Sequence, residues 1–278
     1  MKLFVTGATG FIGSHFLNFL VQNPEIEIVA LRRNLQSQPR IPLLKEPHWI
    51  TKPLDQIDKD DLKGVDVMVH LAAHSMYPPY DTLENCLYWN LSAPLKLFNE
   101  ALKAGVNKFI VAGSCFEYGL SGEAYEFIPV EATLKPTLTY AASKAASSIA
   151  FYQFAVQHQI KFSYNRIFQV FGEGEAASRL WPSLKKAALS GEDFPMTKGE
   201  QIRDFIAVED VAKFFVDACL NDDLVAGQPK FNNVGSGKPQ SILKFSEYWW
   251  KKWQANGELL KGKLPYREGE VMRYVPKI

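Results

Sequence analysis

The segment VTGATGFIGSH near the N-terminus limits the possible folds more than any other part of the chain. Its glycines Gly7, Gly10 and Gly13 follow the pattern GxxGxxG between an apolar run, which predicts a strand, and an amphipathic run, which predicts a helix. Glycine permits a tight turn and lets backbone N–H groups approach a pyrophosphate at the helix N-terminus. We therefore predict a dinucleotide-binding turn in which Phe11 and Ile12 lie beside the cofactor.

Apolar runs alternate with helical patterns up to about residue 168. This alternation is typical of a parallel sheet that is covered by helices on both faces. After residue 168 helices follow one another between loops, with one further strand candidate in KFNNV. We predict an α/β protein with a Rossmann-like, doubly wound parallel sheet: a dinucleotide-binding domain over 1–168 and a smaller, partly interwoven C-terminal substrate lobe over 169–278.

Composition excludes several classes of protein. The 278 residues are 47% hydrophobic and carry a net charge of +1, so we expect a large core and no binding to nucleic acid or membranes through bulk charge. The three cysteines lack CxxC spacing and the histidines lack metal-ligand spacing, which predicts reduced thiols and no metal site. The chain shows no signal-peptide pattern and no apolar run near the roughly 20 residues that span a bilayer, so we expect a cytoplasmic protein.

The second predicted strand ends in ALRRN, and its last residues bear on the choice of cofactor. A dinucleotide fold usually contacts the adenosine ribose about 20 residues after the glycine turn, through an acidic residue for NAD or a basic residue for the 2′-phosphate of NADP. Arg32 and Arg33 stand there, and no Asp or Glu does. The alternative is a pair of solvated surface arginines. We predict NADPH or NADP⁺ as the cofactor, in preference to NAD.

Tyr140 and Lys144 lie four residues apart in YAASK, within a predicted helix, so they are neighbours on its surface. A cation about 4 Å from a phenolate, at an effective dielectric constant near 20, contributes about 4 kcal/mol. That energy corresponds to a pKa lowered by up to roughly three units before desolvation of the lysine is subtracted. The spacing therefore predicts that Lys144 lowers the pKa of Tyr140. Chance spacing on an amphipathic helix is the alternative.

Six segments of the chain, taken together, resemble the extended short-chain dehydrogenase/reductases, and among them the nucleotide-sugar epimerase, dehydratase and ketoreductase group. The resemblance covers nearly the whole chain, and the segments occur in the order found in that family. They are TGATGFIGSH, VHLAA, YAASK, NRIFQVFGEG, IRDFIAVEDVA and NNVGSGK. The set is specific to the family, although not to one substrate.

The resemblance implies catalytic roles for three residues. Tyr140 would donate or accept the proton, and Lys144 would hydrogen-bond the nicotinamide ribose and lower the pKa of Tyr140. Ser114, in AGSCFEYG, stands where the family places its catalytic Ser or Thr, and would hydrogen-bond the reacting sugar oxygen. The alternative role of Ser114 is a cap at the end of a strand.

The resemblance also implies contacts with the cofactor and the substrate. On the cofactor side the implied residues are Leu71, Ala72, Ala73 and Phe168. On the substrate side they are Gln169, at a position where Asn is more usual, and the arginines Arg179, Arg203 and Arg267. The planar fork of donors on arginine suits a diphosphate. Glu270 replaces the Asp of the family's R-x-G-D block.

Dehydratases of this family carry an Asp–Glu pair directly after the catalytic hydroxyl residue, for acid–base chemistry. Here Cys115 and Phe116 follow Ser114, and Glu117 stands one position too late, which argues against dehydration. We predict NADPH-dependent reduction, at C4, of a nucleotide-linked 4-keto-6-deoxy hexose. The nucleotide base, the sugar and the stereochemistry at C4 stay open.

Two alternatives remain to the reductase. One is a nucleotide-sugar 4-epimerase that holds NAD tightly, and the other is a non-catalytic dinucleotide-sensing protein on the same fold. The complete set of Ser114, Tyr140 and Lys144 argues against the sensor. The resemblance further implies a homodimer, paired through LSAPLKLFNEALKAG and the helix that carries Tyr140.

Overall fold

A computed structural model describes residues 1–267 and 269–278. The strands of these residues are β1 Lys2–Thr6, β2 Glu27–Arg32, β3 His48–Thr51, β4 Val67–His70, β5 Lys108–Ser114, β6 Lys161–Ile167, β7 Gln169–Phe171, β8 Phe194–Pro195, β9 Ile202–Ala207, β10 Lys230–Val234, β11 Pro239–Ser241, β12 Leu259–Leu260 and β13 Arg273–Tyr274. Seven of them form one sheet in the order β3-β2-β1-β4-β5-β6-β10, and all of its pairs are parallel. The predicted α/β class and parallel sheet are confirmed.

The α-helices of the described residues lie between these strands. They are α1 Phe11–Leu20, α2 Leu83–Leu87, α3 Ala93–Lys103, α4 Thr139–His158, α5 Leu180–Ser190, α6 Val208–Leu220 and α7 Ile242–Lys252. A π-helical segment at Tyr88–Ser92 joins α2 to α3, and a 3₁₀ turn at Cys115–Tyr118 follows β5. In the described part of the chain, a helix able to span a lipid bilayer is not found.

Alternate residues of the central strands pack on opposite faces of the sheet, because successive side chains of a strand point in opposite directions. Leu3 and Val5 of β1 pack in one cluster with Phe16 of α1 and with residues of α6. Phe4, between them, packs in a second cluster with Phe98 of α3 and with residues of α4. These two buried clusters fix the helices on both faces and leave the carboxyl ends of β1, β4 and β5 to form the site.

The C-terminal part of the chain divides between the main sheet and a smaller lobe. In the lobe, β9 pairs with β7, β11 and β13, β8 pairs with β12, and α5 packs against α7. However, β10 forms an edge of the main sheet, and α6 packs against α1. Residues 208–234 therefore pack with the Rossmann layers, because the apolar face of α6 is buried against them. The boundary after residue 168, with a partly interwoven C-terminal lobe, stays a prediction.

Candidate active site

The glycine-rich turn lies at the carboxyl end of β1, where α1 begins. Gly7 has φ +70°, and a Cβ there would lie 2.5 Å from the Ala72 nitrogen. A Cβ on Gly13 would lie 2.1 Å from the Gly7 carbonyl oxygen, which accepts a 2.9 Å hydrogen bond from the Gly10 N–H. The first turn of α1 has no acidic residue and its N-cap adds no side-chain bond, so its N–H groups remain available to a phosphate. This turn fits the pyrophosphate of a dinucleotide.

An open cavity, with about 800 Å³ of empty space that includes open solvent, lies beside the turn. Its wall contains most of the residues that the sequence predicted for the cofactor and the reaction: Phe11, Ile12, Leu71, Ala73, Ser114, Tyr140, Lys144, Phe168, Gln169 and Arg179. It also contains residues that the sequence did not single out for binding: Met76, Tyr77, Phe116 and Glu175. The fold thus gathers the predicted catalytic residues in one cavity.

Ser114 ends β5 and also caps the 3₁₀ turn that follows it. Its Oγ accepts a hydrogen bond of 3.2 Å from the Phe116 N–H, and its own N–H donates to Glu117 Oε1 at 2.8 Å. This reciprocal arrangement is a capping box. Because the cap uses a lone pair of the hydroxyl oxygen, the hydroxyl hydrogen can still be donated to a substrate oxygen. The two roles considered for Ser114 are therefore compatible.

Tyr140 lies in the first turn of α4, and only 6% of its surface is exposed. Burial raises the pKa of Tyr140 well above that of a free tyrosine, and the neighbouring Ser114 hydroxyl opposes this only in part. The lowering of this pKa by Lys144 stays a prediction.

Lys144 follows one turn later on α4 and is 2% exposed. Its Nζ donates a 2.8 Å hydrogen bond to the Ala112 carbonyl oxygen of β5. Burial lowers the pKa of Lys144 to about 8, while the negative charge of Glu117 opposes the shift. Lys144 therefore remains mostly charged at pH 7 and can donate to a ribose hydroxyl.

Glu117 is fully buried beneath the cavity wall. Its Oε1 accepts hydrogen bonds from the Ser114 N–H and from the Tyr164 hydroxyl, and its Oε2 accepts one from Arg166 Nε at 2.8 Å. A Cβ on Gly113 would lie 2.9 Å from this carboxylate, so glycine makes room for it. The sequence analysis missed this arrangement, although the spacing of Ser114 and Glu117 is that of a capping box.

Arg32 and Arg33 lie at the carboxyl end of β2. Arg32 is held in place: its Nε donates to Thr51 Oγ1 at 2.9 Å, and its guanidinium carbon lies 5.3 Å from the centre of the Trp49 ring. Within residues 1–267 and 269–278, its two terminal nitrogens have no hydrogen-bond partner. Arg33 is exposed.

The residues predicted to bind the substrate are only partly brought together. Gln169 and Arg179 line the cavity. Arg203 is 12% exposed and pairs with Glu270, with 2.6 Å between Nη2 and Oε1. Arg267 is exposed and is not part of the cavity wall. The contact of Arg203 and Arg267 with a diphosphate stays a prediction.

Glu175 is a carboxyl group in the cavity wall that the sequence analysis missed. Its side chain is 6% exposed, and Oε1 lies 3.4 Å from Arg179 Nε. Oε2 is buried and has no hydrogen-bond partner among the described residues. Burial raises the pKa of Glu175 to about 7, with Arg179 opposing the shift. The sequence did not indicate that Glu175 is buried, because it lies in the loop GEGE, where burial depends on distant segments and not on a periodic pattern.

We expect Glu175→Gln to stabilise the protein at pH 8 by up to about 3 kcal/mol. The pKa of Glu175 is raised from 4.5 to about 7 on folding, so ionisation destabilises the folded state increasingly from pH 4.5 to pH 7. Gln cannot ionise, and most of the gain should therefore disappear at pH 5. Urea unfolding at both pH values measures this. Glu173→Gln, an exposed change in the same loop, is the control, and equal stabilities of wild type and Glu175→Gln at pH 8 would contradict the expectation.

The sequence predicted no metal site and three reduced cysteines. Among the described residues, no group of three or more His, Cys, Asp or Glu residues is arranged to hold a metal ion. His70 is buried at the end of β4, with its Nδ1 2.8 Å from the Thr6 hydroxyl. The three cysteines are free and buried, and burial raises the pKa of Cys115, which lines the cavity, to about 12. Cys115 is therefore a neutral thiol.

Residues 3–235 match the NAD dependent epimerase/dehydratase family. The chain belongs to this family, and the predicted family is confirmed. It is similar to a CDP-abequose synthase of Salmonella muenchen, with 26% identity over 275 residues that cover 98% of this chain and 87% of the relative.

Two solved structures share the fold over the whole chain. One is UDP-N-acetylglucosamine 4-epimerase from Methanobrevibacter ruminantium M1 in complex with UDP-N-acetylmuramic acid, with a TM-score of 0.88, 26% identity, and coverage of 100% of this chain and 89% of that one. The other is MoeE5 in complex with UDP-glucuronic acid and NAD, with a TM-score of 0.84, 25% identity, and coverage of 100% and 90%.

Proposed function

We propose that the protein reduces a nucleotide-linked 4-keto-6-deoxy hexose at C4 with NADPH. The relatives act on or bind nucleotide sugars, and one of the similar structures contains NAD. The cavity that contains Ser114, Tyr140 and Lys144 would hold the sugar next to the nicotinamide. The lobe formed mainly by residues after 168 would hold the nucleotide diphosphate, with Arg179 as its cavity-lining cation.

In this proposal the residues of the chain place and move a proton at the C4 oxygen. A reduced nicotinamide, when bound, supplies the hydride. Tyr140 gives its phenolic proton to the oxygen as negative charge develops there, and Ser114 donates a second hydrogen bond to the same atom. Burial raises the pKa of Tyr140, so the phenol carries its proton at neutral pH before the reaction begins.

The observation that carries the choice of NADPH is the cationic end of β2. Arg32 is fixed by Thr51 and Trp49 through its Nε and the face of its guanidinium group. The two terminal nitrogens of Arg32 are left to bind a 2′-phosphate. Because the guanidinium group is already held in place, binding would cost less conformational entropy. The exposed Arg33 would add a second cation.

Replacing both Arg32 and Arg33 with Ala should weaken NADPH binding by roughly 3 kcal/mol, which is more than a hundredfold, because two charge-assisted contacts are lost. NADH lacks the 2′-phosphate and should lose little affinity. Fluorescence titration of both cofactors measures the difference, and NADH serves as the internal control. Arg32→Ala should account for the larger share because Arg32 is held in place. Equal losses for the two cofactors would contradict NADP selectivity.

The direct test of the function is turnover with a panel of nucleotide-4-keto-6-deoxy hexoses and NADPH, analysed by mass spectrometry. We expect stoichiometric consumption of NADPH with one substrate. Deuterium from labelled NADPH should appear at C4 of the product. No consumption with any member of the panel would reject the reductase.

A 4-epimerase is the second candidate, because a 4-epimerase is among the similar structures. That reaction also passes hydride at C4, but the cofactor must stay bound through both half-reactions. Tightly bound NAD in the purified protein, together with inversion of a 4-hydroxyl and no net loss of NADPH, would assign the protein to this class. A protein that binds a dinucleotide but turns over neither type of substrate would be the sensor.

We also propose a homodimer, in which α2, α3 and α4 of each chain would form the interface. The apolar side chains Leu83 of α2 and Ile149 of α4 are 41% and 66% exposed, respectively. Burial of such side chains would favour pairing of these helices. Light scattering gives the mass in solution, and a monomer at micromolar concentration would reject the proposal.

A further inference from the structure

Glu117 is a buried carboxyl group that forms an ion pair with Arg166 and lies at the centre of a hydrogen-bond network. Its oxygens accept from the Ser114 N–H at 2.8 Å, from the Tyr164 hydroxyl at 2.9 Å and from Arg166 Nε at 2.8 Å. Arg166 also donates to the Tyr118 hydroxyl and to the Val130 carbonyl oxygen. Hydrogen bonds between charged partners are stronger than those between neutral ones. A fixed negative charge therefore lies directly behind Ser114.

This carboxylate is linked to Lys144 through Tyr164. The hydroxyl that donates to Glu117 also lies 3.2 Å from the Lys144 carbonyl oxygen, and the Lys144 Nζ lies 5.7 Å from the centre of the Tyr164 ring. Nζ itself donates to the Ala112 carbonyl oxygen. In the described parts of the chain, 1–267 and 269–278, no carboxylate forms an ion pair with Nζ. The charge of Glu117 therefore acts on Lys144 across a buried aromatic ring, where screening by water is weak.

Three other titratable groups near Lys144 are neutral at pH 7, and the charged Arg166 guanidinium lies 6.0 Å from the centre of the Tyr164 ring. On β4, burial and the charge of Lys144 lower the pKa of His70 to about 3. On α4 and β6, burial raises the pKa values of Tyr140 and Tyr164. Burial lowers the pKa of Lys144 to about 8, and the charge of Glu117 opposes this shift. Loss of its negative charge would lower the pKa of Lys144 further.

We infer that Glu117 is a positioning residue for the reaction: its carboxylate anchors the Ser114 backbone and keeps Lys144 protonated. This inference rests on the proposed function, which gives Ser114 and Lys144 their roles at the sugar oxygen and the ribose. It gives a role to Glu117, which stands one position after the place of the acid–base pair of the dehydratases. Glu117 touches neither the cavity nor a reacting atom and acts through other residues.

The test is the pH dependence of turnover and of NADPH affinity between pH 6 and pH 10, in the full-length protein. Glu117→Gln removes the charge but keeps the shape of the side chain. Glu117→Asp keeps the charge, and Tyr164→Phe removes one hydrogen bond while Glu117 stays ionised. If Glu117→Gln does not fold, the double variant Glu117→Gln/Arg166→Met, in which neither partner is charged, replaces it.

In Glu117→Gln we expect the alkaline limb of both profiles to move at least about one unit to lower pH, because a lysine with a lower pKa loses its proton earlier. At pH 8 this corresponds to about fivefold less charged Lys144 than in wild type. Glu117→Asp and Tyr164→Phe should keep the wild-type limb. A purely structural role would lower turnover at every pH and leave the limb in place.

The inference is overturned if the limb stays at the same pH in the uncharged variant, or if Tyr164→Phe moves it equally. Absence of turnover in the wild type with every keto sugar would instead reject the proposed function. The NADPH affinity profile would still decide the role of Glu117 at Lys144, so the two failures can be told apart.

Discussion

Tyr140→Phe should reduce turnover at least about a hundredfold, the usual effect of losing a general acid, while NADPH affinity stays near that of the wild type. The phenol lies in the cavity wall and is 6% exposed, so water cannot readily replace it as a proton donor. Phe keeps the packing of the first turn of α4. Steady-state kinetics and fluorescence titration of NADPH separate the two effects.

Tyr152→Phe is the matched control, because Tyr152 lies on the same helix and is 49% exposed. Its turnover should equal that of the wild type. Lys144→Met provides a contrast: it should weaken both turnover and NADPH binding, because a ribose donor is lost together with a charge near the phenol. Near-normal turnover of Tyr140→Phe would refute the assignment of Tyr140 as the acid.

Arg166→Met should destabilise the fold by about 3–5 kcal/mol, the usual cost of leaving a buried charge without its partner. Arg166 is 5% exposed and pairs with Glu117, which is fully buried. It also donates to the Tyr118 hydroxyl at 3.2 Å and to the Val130 carbonyl oxygen at 3.0 Å. Met has a similar length but cannot donate, so the carboxylate would remain in the interior uncompensated.

Equilibrium unfolding in urea measures this loss. The double variant Glu117→Gln/Arg166→Met should recover part of it, because it leaves no unpaired charge. A single-variant loss below about 1 kcal/mol would show that water reaches the pair and screens it. The surface pair of Lys230 and Asp223 is a suitable comparison, since both side chains are about half exposed and exposed pairs contribute about 0–1 kcal/mol.

Features set by local spacing could be predicted from the sequence. The glycine turn follows from Gly7, Gly10 and Gly13, because their spacing alone permits the close approach of α1 to β1. Strand and helix alternation predicted the parallel sheet, because hydrophobic periodicity is a local property. The cavity also contains Ser114 and Tyr140, which were placed in one site by their motifs. The sequence predicted a C-terminal lobe partly interwoven with the sheet, but it did not show that α6 is one of the returning segments, because two lobes can bury an apolar helix face equally well.

The sequence by itself thus determined the glycine turn, the alternation of strands and helices that gives the parallel sheet, the family, and the four-residue spacing of Tyr140 and Lys144. It did not indicate the short strands β7, β8, β9, β11, β12 and β13 of the C-terminal part, where it predicted helices and one strand. Tertiary structure alone decided the electrostatics of the site. It buries Tyr140, and this burial raises the pKa of the phenol. It also joins Glu117 to Tyr164 and Arg166, which lie 47 and 49 residues further along the chain. The physical reason is that desolvation and charge pairing depend on which distant segments of the chain pack against a residue. Residue spacing within one helix or turn carries no information about these distant segments.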